Sequence, residues 1–183
     1  MKKMIICNFG EEIIVVPKTE IMEILFHRGR MLLLDRVELV GNKVVGEFMV
    51  PAEICEGHEP MPGMPVMRGV EIAEMAFQLF AVFASKNPEL AAMGKGKVCA
   101  ARGITGVRFS GFVRPTRKLI METMANVGVE EMGGMLRVES NRMIARVGVG
   151  GRKVCTIDSV ALGFFDHVLI NRAEQIFGQI EGQ

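Results

Sequence analysis

Between Val70 and Ala84 the chain reads VEIAEMAFQLFAVFA, in which only Glu71, Glu74 and Gln78 are polar. At about 100° per residue those three fall within about 60° of one another, so the run predicts a helix that is apolar nearly all round and carries one thin polar stripe. Such a helix belongs in a core, and its stripe has to meet something polar and buried. Pro88 sets its limit, because the residue before a proline disfavours the helical region.

Around this helix the periods change. MIIC and EIIVV flank Asn8-Phe9-Gly10 and predict a small hairpin. TEIMEILF predicts a short helix capped by Thr19 and ended near Gly29. MLLLDRVELV and KVVGEFMV predict two strands joined by the tight-turn pair Gly41-Asn42. The second half is strand-like throughout, in KVCAARGITGVRF, KLIMETMANVGV, MLRVESNRMIARVGV and KVCTIDSVALGFF, with Gly133-Gly134 and Gly150-Gly151 as hairpin turns. In the tail, Leu169, Ala173, Ile176 and Ile180 stand at helical spacing behind Asp166 as cap.

One buried helix among many strands is an α+β pattern. A helix of about seventeen residues spans about 25 Å, enough to lie across one face of a curved antiparallel sheet. The two edges of that sheet need covering, and edge-to-edge dimerisation would do so. The chain reads as a single domain over 1–183, with 1–18 as an N-terminal hairpin extension and 166–183 as a C-terminal helical one.

Composition narrows the classes. The chain is 49% hydrophobic, which supports a sizeable core. Its net charge of +1 argues against nucleic acid as a partner. No apolar run is long enough to span a membrane, and the apolar part of MKKMIICNFGEE is too short for a signal peptide. Cys7, Cys55, Cys99 and Cys155 lie far apart, form no metal-type pair and suit a reducing cytoplasm. Fifteen Met with no Trp or Tyr leave Phe and His as the only aromatic rings.

The candidate chemistry lies just before the central helix, where the Gly/Pro-rich loop EGHEPMPGMPVMRG contains His58. The run GHEPMPGMPVMRGVEIAEMAFQ resembles the signature of the β-hydroxyacyl-acyl-carrier-protein dehydratases, G-H-F-P-G-x-P-V-M-P-G followed by a helix with an acid and a glutamine. LFHRGRMLLLDRV is similar to that family's L-P-H-R-x-P-F-L-L-V-D-R-V segment, and ITGVRFSGFVRPTRKLIMETM to the strand that carries its Phe and later Pro. The chain departs in places. Two residues are inserted between His58 and Pro62-Gly63, Arg68 stands where the family has Pro, and Glu71 stands at an apolar position.

The resemblance implies the hotdog fold, an antiparallel sheet wrapped around one long helix, in a homodimer or higher even oligomer. It implies dehydration of acyl-carrier-protein-bound 3-hydroxyacyl thioesters to trans-2-enoyl thioesters by a cytoplasmic enzyme needing no metal or organic cofactor. His58 takes the position of the catalytic histidine and Glu74 that of the catalytic acid, each site drawing the two from opposite protomers. Gly69 and Val70 open the helix beside the thioester carbonyl, and Gln78 follows the acid one turn on. These residue types suit the chemistry: histidine is a base near neutrality, and burial disfavours the charged form of a carboxyl, as a proton donor needs. The family's carrier is acidic, which makes Arg102, Arg108, Arg114, Arg117 and Lys118 candidates for its dock, while His27 falls in a packing segment. A hotdog protein that binds acyl thioesters without turnover, and a hotdog thioesterase, are the other readings.

Overall fold

The structure, a computed structural model, describes residues 3–6, 9–132 and 135–166. Its strands are β1 (Lys3–Ile6), β2 (Ile14–Pro17), β3 (Arg36–Val40), β4 (Lys43–Met49), β5 (Lys97–Thr105), β6 (Arg108–Phe109), β7 (Lys118–Met124), β8 (Asn126–Met132), β9 (Met135–Ser140), β10 (Met143–Val147), β11 (Arg152–Ile157) and β12 (Ser159–Asp166). Its helices are α1 (Lys18–Ile24), α2 (Ala52–Cys55), α3 (Gly69–Lys86) and α4 (Pro88–Gly94), with a 3-10 turn at Gly29–Met31.

The strands form two antiparallel sheets, ordered β1-β8-β9-β12-β5 and β2-β3-β4-β7-β10-β11-β6. They are two halves of one curved layer. β7 runs into β8 across Ala125, β9 into β10 across Asn141-Arg142, and β11 into β12 across Asp158. Register shifts at Ala161/Leu162 and Ala145/Arg146 sharpen the curl, as bulges do. Each long apolar-polar run of the second half is therefore one bent strand serving both sheets.

Inside the curl lies α3, eighteen residues and about 27 Å long, packed on β12 and β5 of one sheet and on β3, β4 and β7 of the other. Ile72, Met75, Ala76, Leu79, Phe80 and Phe83 are buried, and Phe80 stacks on Phe83 at 5.9 Å between centroids. On β4, Val44, Gly46 and Phe48 alternate inward. A Cβ on Gly46 would stand 2.9 Å from Leu79 Cδ1, so this glycine allows the helix its close approach to the sheet. The helix stops where Asn87 accepts a hydrogen bond from Leu90 N–H (2.9 Å) and Pro88 opens α4, a helix the sequence pattern does not predict.

The predicted N-terminal hairpin does not form. β1 pairs with β8 and β2 with β3, in different halves of the layer. Phe9-Gly10 instead bonds to the β3–β4 turn, Phe9 N–H to Gly41 O and Gly41 N–H to Gly10 O, both 2.7 Å, and Phe9 sits edge-on to Phe83. α1 starts at Lys18 behind Pro17 rather than behind Thr19. The strand predicted from Met31 begins only at Arg36, because Leu32, Leu33 and Leu34 are all buried in succession and no alternating face remains. The Gly133-Gly134 turn and the helical tail after Asp166 fall outside the described residues.

Candidate active site

Between α2 and α3 the chain makes an excursion closed at its base by a pair of bonds. Val66 N–H donates to His58 O (3.1 Å), and His58 Nδ1 donates to Val66 O (3.2 Å). The two inserted residues fall inside the excursion, between His58 and Val66, where Gly63 N–H donates to Glu59 Oε2 (3.1 Å). The insertion enlarges the loop without opening its neck. A carbonyl only accepts, so Nδ1 must carry the proton, and a neutral His58 then has its lone pair on Nε2.

From Val66 the chain runs directly into α3. Met67 N–H donates to Val113 O (2.9 Å), and the helix opens at Gly69. A Cβ on Gly69 would lie 2.6 Å from Phe109 Cζ, so any side chain there would have to displace that half-exposed ring. The amides of Gly69 and Val70 have no preceding helical carbonyl to bond, which makes this end of α3 a pair of donors with the positive end of the helix dipole behind it. Glu71 belongs to the cap. It accepts from Arg68 N–H (3.0 Å) and Nε (3.1 Å), and Arg68 Nη2 completes the ion pair. The anomalous carboxylate of the stripe is thus neutralised by the anomalous arginine beside it.

Gln78 is 1% exposed and engaged at both ends of its amide. Its Oε1 accepts Leu33 N–H (2.8 Å), and its Nε2 donates to Met31 O (2.6 Å) and to Glu74 Oε1 (3.1 Å). Leu33 N–H and Met31 O fix which end is which. Glu74 Oε1 also lies 3.0 Å from His27 Nε2, and the Glu74 side chain is 29% exposed in the single chain. The carboxyl stands on the wall of an apolar cavity of about 590 Å³, lined also by His27, Phe77, Ala81, Cys99 and Phe164. His58 is not on that wall, so one chain does not bring the predicted base and acid together.

The polar partner that the stripe requires thus comes from residues 27–33 of the same chain. His27, assigned to packing from the sequence, is the histidine that touches Glu74. Its signal was indirect: a core carboxylate needs a donor, and His27 is one of only three histidines in the chain.

The candidate docking cations sort differently from their order in sequence. Arg108 is bound by Asp158 (2.9 and 3.0 Å) and Lys118 by Glu47 (2.9 Å). Arg114 and Arg117 instead join Arg152, with Met64 and Phe112, around a second cavity of about 390 Å³. Arg102 stays on the exposed part of β5. Among the described residues Cys55, Cys99 and Cys155 are free thiols, and burial pushes Cys99 and Cys155 up to about 11. No cluster of three or more His, Cys, Asp or Glu side chains among the described residues is arranged to hold a metal ion. No helix among them is long and apolar enough to cross a membrane.

Residues 25–158 match the model of the FabA-like domain family. The chain is 38% identical over 144 residues to 3-hydroxyacyl-[acyl-carrier-protein] dehydratase FabZ of Ligilactobacillus salivarius, covering 76% of this chain and 93% of that protein. It is 37% identical over 146 residues to the FabZ of Chloroflexus aggregans, covering 78% and 87%. Among solved structures, the dehydratase heterocomplex ApeI:P of Xenorhabdus doucetiae superposes with a TM-score of 0.58 at 15% identity, over 84% of this chain and 95% of that one, and shares the hotdog architecture.

Proposed function

The chain belongs to the FabA-like family, and we propose that it removes water from 3-hydroxyacyl thioesters on an acyl carrier protein with Glu74 as acid and His58 as base. It is a 3-hydroxyacyl-[acyl-carrier-protein] dehydratase acting in fatty-acid synthesis. The observation that carries the site assignment is the Glu74 carboxyl on the wall of an apolar cavity, held from behind by a buried glutamine.

In the proposed reaction His58 Nε2 takes the α-proton of the acyl thioester, and the C–H electron pair becomes the Cα=Cβ bond. The β-hydroxyl takes the proton of Glu74 and leaves as water. Charge that builds on the thioester oxygen meets the amides of Gly69 and Val70, and a donor of this kind is typically worth about 3 kcal/mol. The acyl chain lies along the apolar cavity beside Phe77 and Ala81. His27 does not serve as the base. Its Nε2 faces Glu74, and its Nδ1 is buried without a partner among the described residues.

The base reaches the acid in a homodimer. Two features support that assembly. β5 is a nine-residue strand at the edge of its sheet, paired among the described residues with β12 alone. The stripe of α3 at Val70, Glu74, Phe77 and Ala81 is only partly covered in one chain, and Val70 is 71% exposed. A copy laid on that edge covers the stripe, and a twofold arrangement supplies two His58–Glu74 sites. The acidic carrier would dock on Arg114, Arg117 and Arg152, which have no acidic partner among the described residues and lie beside the His58 loop through Met64. A cytoplasmic location goes with such a substrate.

The test is turnover of a 3-hydroxyacyl carrier-protein thioester, read as enoyl product. His58→Ala and Glu74→Gln should each lower it about 100-fold or more. Mixing the two inactive variants should restore about a quarter of wild-type activity, since a heterodimer recovers one intact site. Unchanged turnover in the single variants sinks the assignment, and thiol release without enoyl product marks a thioesterase.

A further inference from the structure

The Glu74 carboxyl has two oxygens, and the structure treats them differently. Two donors converge on Oε1, Gln78 Nε2 at 3.1 Å and His27 Nε2 at 3.0 Å. The glutamine donor is unambiguous, because its amide is oriented by Leu33 N–H and Met31 O. The histidine donor follows from its surroundings. His27 Nδ1 is buried and has no hydrogen-bond partner among the described residues, so a proton there would be an orphan donor, and the neutral ring is satisfied with its proton on Nε2, facing the carboxylate.

The ring is held in that attitude on two sides. Phe26 stacks on it at 4.4 Å between centroids and 22° between planes. Arg28 Nη1 donates to Leu25 O (2.6 Å) and His27 O (2.7 Å), which clamps the backbone around the histidine.

We propose that His27 is a positioning residue for the acid: with Gln78 it occupies Oε1, so that the transferable proton of Glu74 resides on Oε2 and is offered to the β-hydroxyl of the substrate. This rests on Glu74 being the acid. During elimination the C–O bond breaks toward the hydroxyl, the hydroxyl accepts the Oε2 proton and departs as water, and Glu74 becomes a carboxylate. Hydrogen bonds to an ionised oxygen are stronger than those to a neutral one, so both donors tighten as the proton leaves. Their stabilisation grows toward the transition state, which places their effect in kcat rather than KM.

The experiment compares two replacements of the ring. His27→Gln keeps an N–H donor at about the same reach, and His27→Leu keeps apolar bulk without one. His27→Leu should lower kcat about ten- to a hundredfold with KM little changed, and His27→Gln should restore kcat to within a few-fold of wild type. If His27→Leu keeps wild-type kcat, or if His27→Gln is as poor as His27→Leu, the proposal is overturned. Glu74→Gln, run alongside, separates this failure from that of the larger assignment. An active Glu74→Gln removes the acid itself, whereas an inactive one beside a fully active His27→Leu removes only the role of His27. Imidazole ¹⁵N spectra of the wild-type protein need no variant to fold. They should show His27 protonated at Nε2 and bare at Nδ1, and the opposite tautomer overturns the proposal.

Discussion

Replacing Gln78 by leucine isolates what the central helix asks of residues 31–33. The amide makes three bonds, to Leu33 N–H, Met31 O and Glu74 Oε1. Leu33 is 1% exposed, so its N–H would be left without water, at about 1–3 kcal/mol. Met31 is 58% exposed and Glu74 partly so, and water can replace the amide there at about 0.5–1.5 kcal/mol for each lost bond. The apolar leucine offsets about 1 kcal/mol by burial. The net loss comes to about 1–5 kcal/mol, centred near 3 kcal/mol. With a urea slope of about 2 kcal/mol per molar, the unfolding midpoint should fall by about 0.5–2.5 M at fixed protein concentration. Glu74→Gln, which disturbs only a partly exposed oxygen, should move it by less than about 0.5 M. A Gln78→Leu midpoint within about 0.3 M of wild type would refute the reasoning, since it would mean that the Leu33 amide finds another acceptor.

Gly69→Ala drives a Cβ against the Phe109 ring and should lower turnover about tenfold or more while the protein stays folded, as read by steady-state kinetics beside a thermal melt. Thr116 sits at φ 61°, where a β-branched residue is strained. Thr116→Asn, which tolerates that region, should therefore raise stability by about 0.5–1 kcal/mol in urea, and a loss would contradict the strain. Cys99 and Cys155 are held at about 11, against an ordinary thiol near 9.0. At pH 8 their thiolate fraction is then about a hundredfold lower than that of an ordinary thiol, so alkylation followed by mass should be correspondingly slow. It should quicken about tenfold per pH unit up to about pH 11, and rapid stoichiometric labelling of Cys99 at pH 8 would contradict its burial.

Much of the candidate site's local arrangement was legible in the order of residues. Glu74 and Gln78 stand on one stripe of an otherwise apolar helix, and that stripe is where the structure places a carboxyl and its buried support. Glu71, on the same stripe, differs only because Arg68 lies three residues before it and closes a cap. His27 could not be read in the same way. It lies forty-seven residues before Glu74, in a segment whose own pattern suggests packing, and its role appears only when α3 is laid against residues 27–33. The arginines follow the same rule. Arg152 comes from the start of β11 to join Arg114 and Arg117, while Arg108 and Lys118, near those two in sequence, are occupied by Asp158 and Glu47.

By itself the sequence determined the local elements: the apolar helix and its end before Pro88, the Gly41-Asn42 turn, the strand runs of the second half, and the motif order that marks the family. Each depends on neighbours within a turn or a pleat, where spacing alone decides which face is apolar. The tertiary structure decided where β1 and β2 pair, where the long strands bend at Ala125 and Asp158, and which histidine meets Glu74. Those outcomes depend on which surfaces remain uncovered once the helix is buried, and that is settled between residues far apart in the chain, where periodicity carries no information. The stripe on α3 shows both: its chemistry is local, and its partners are not.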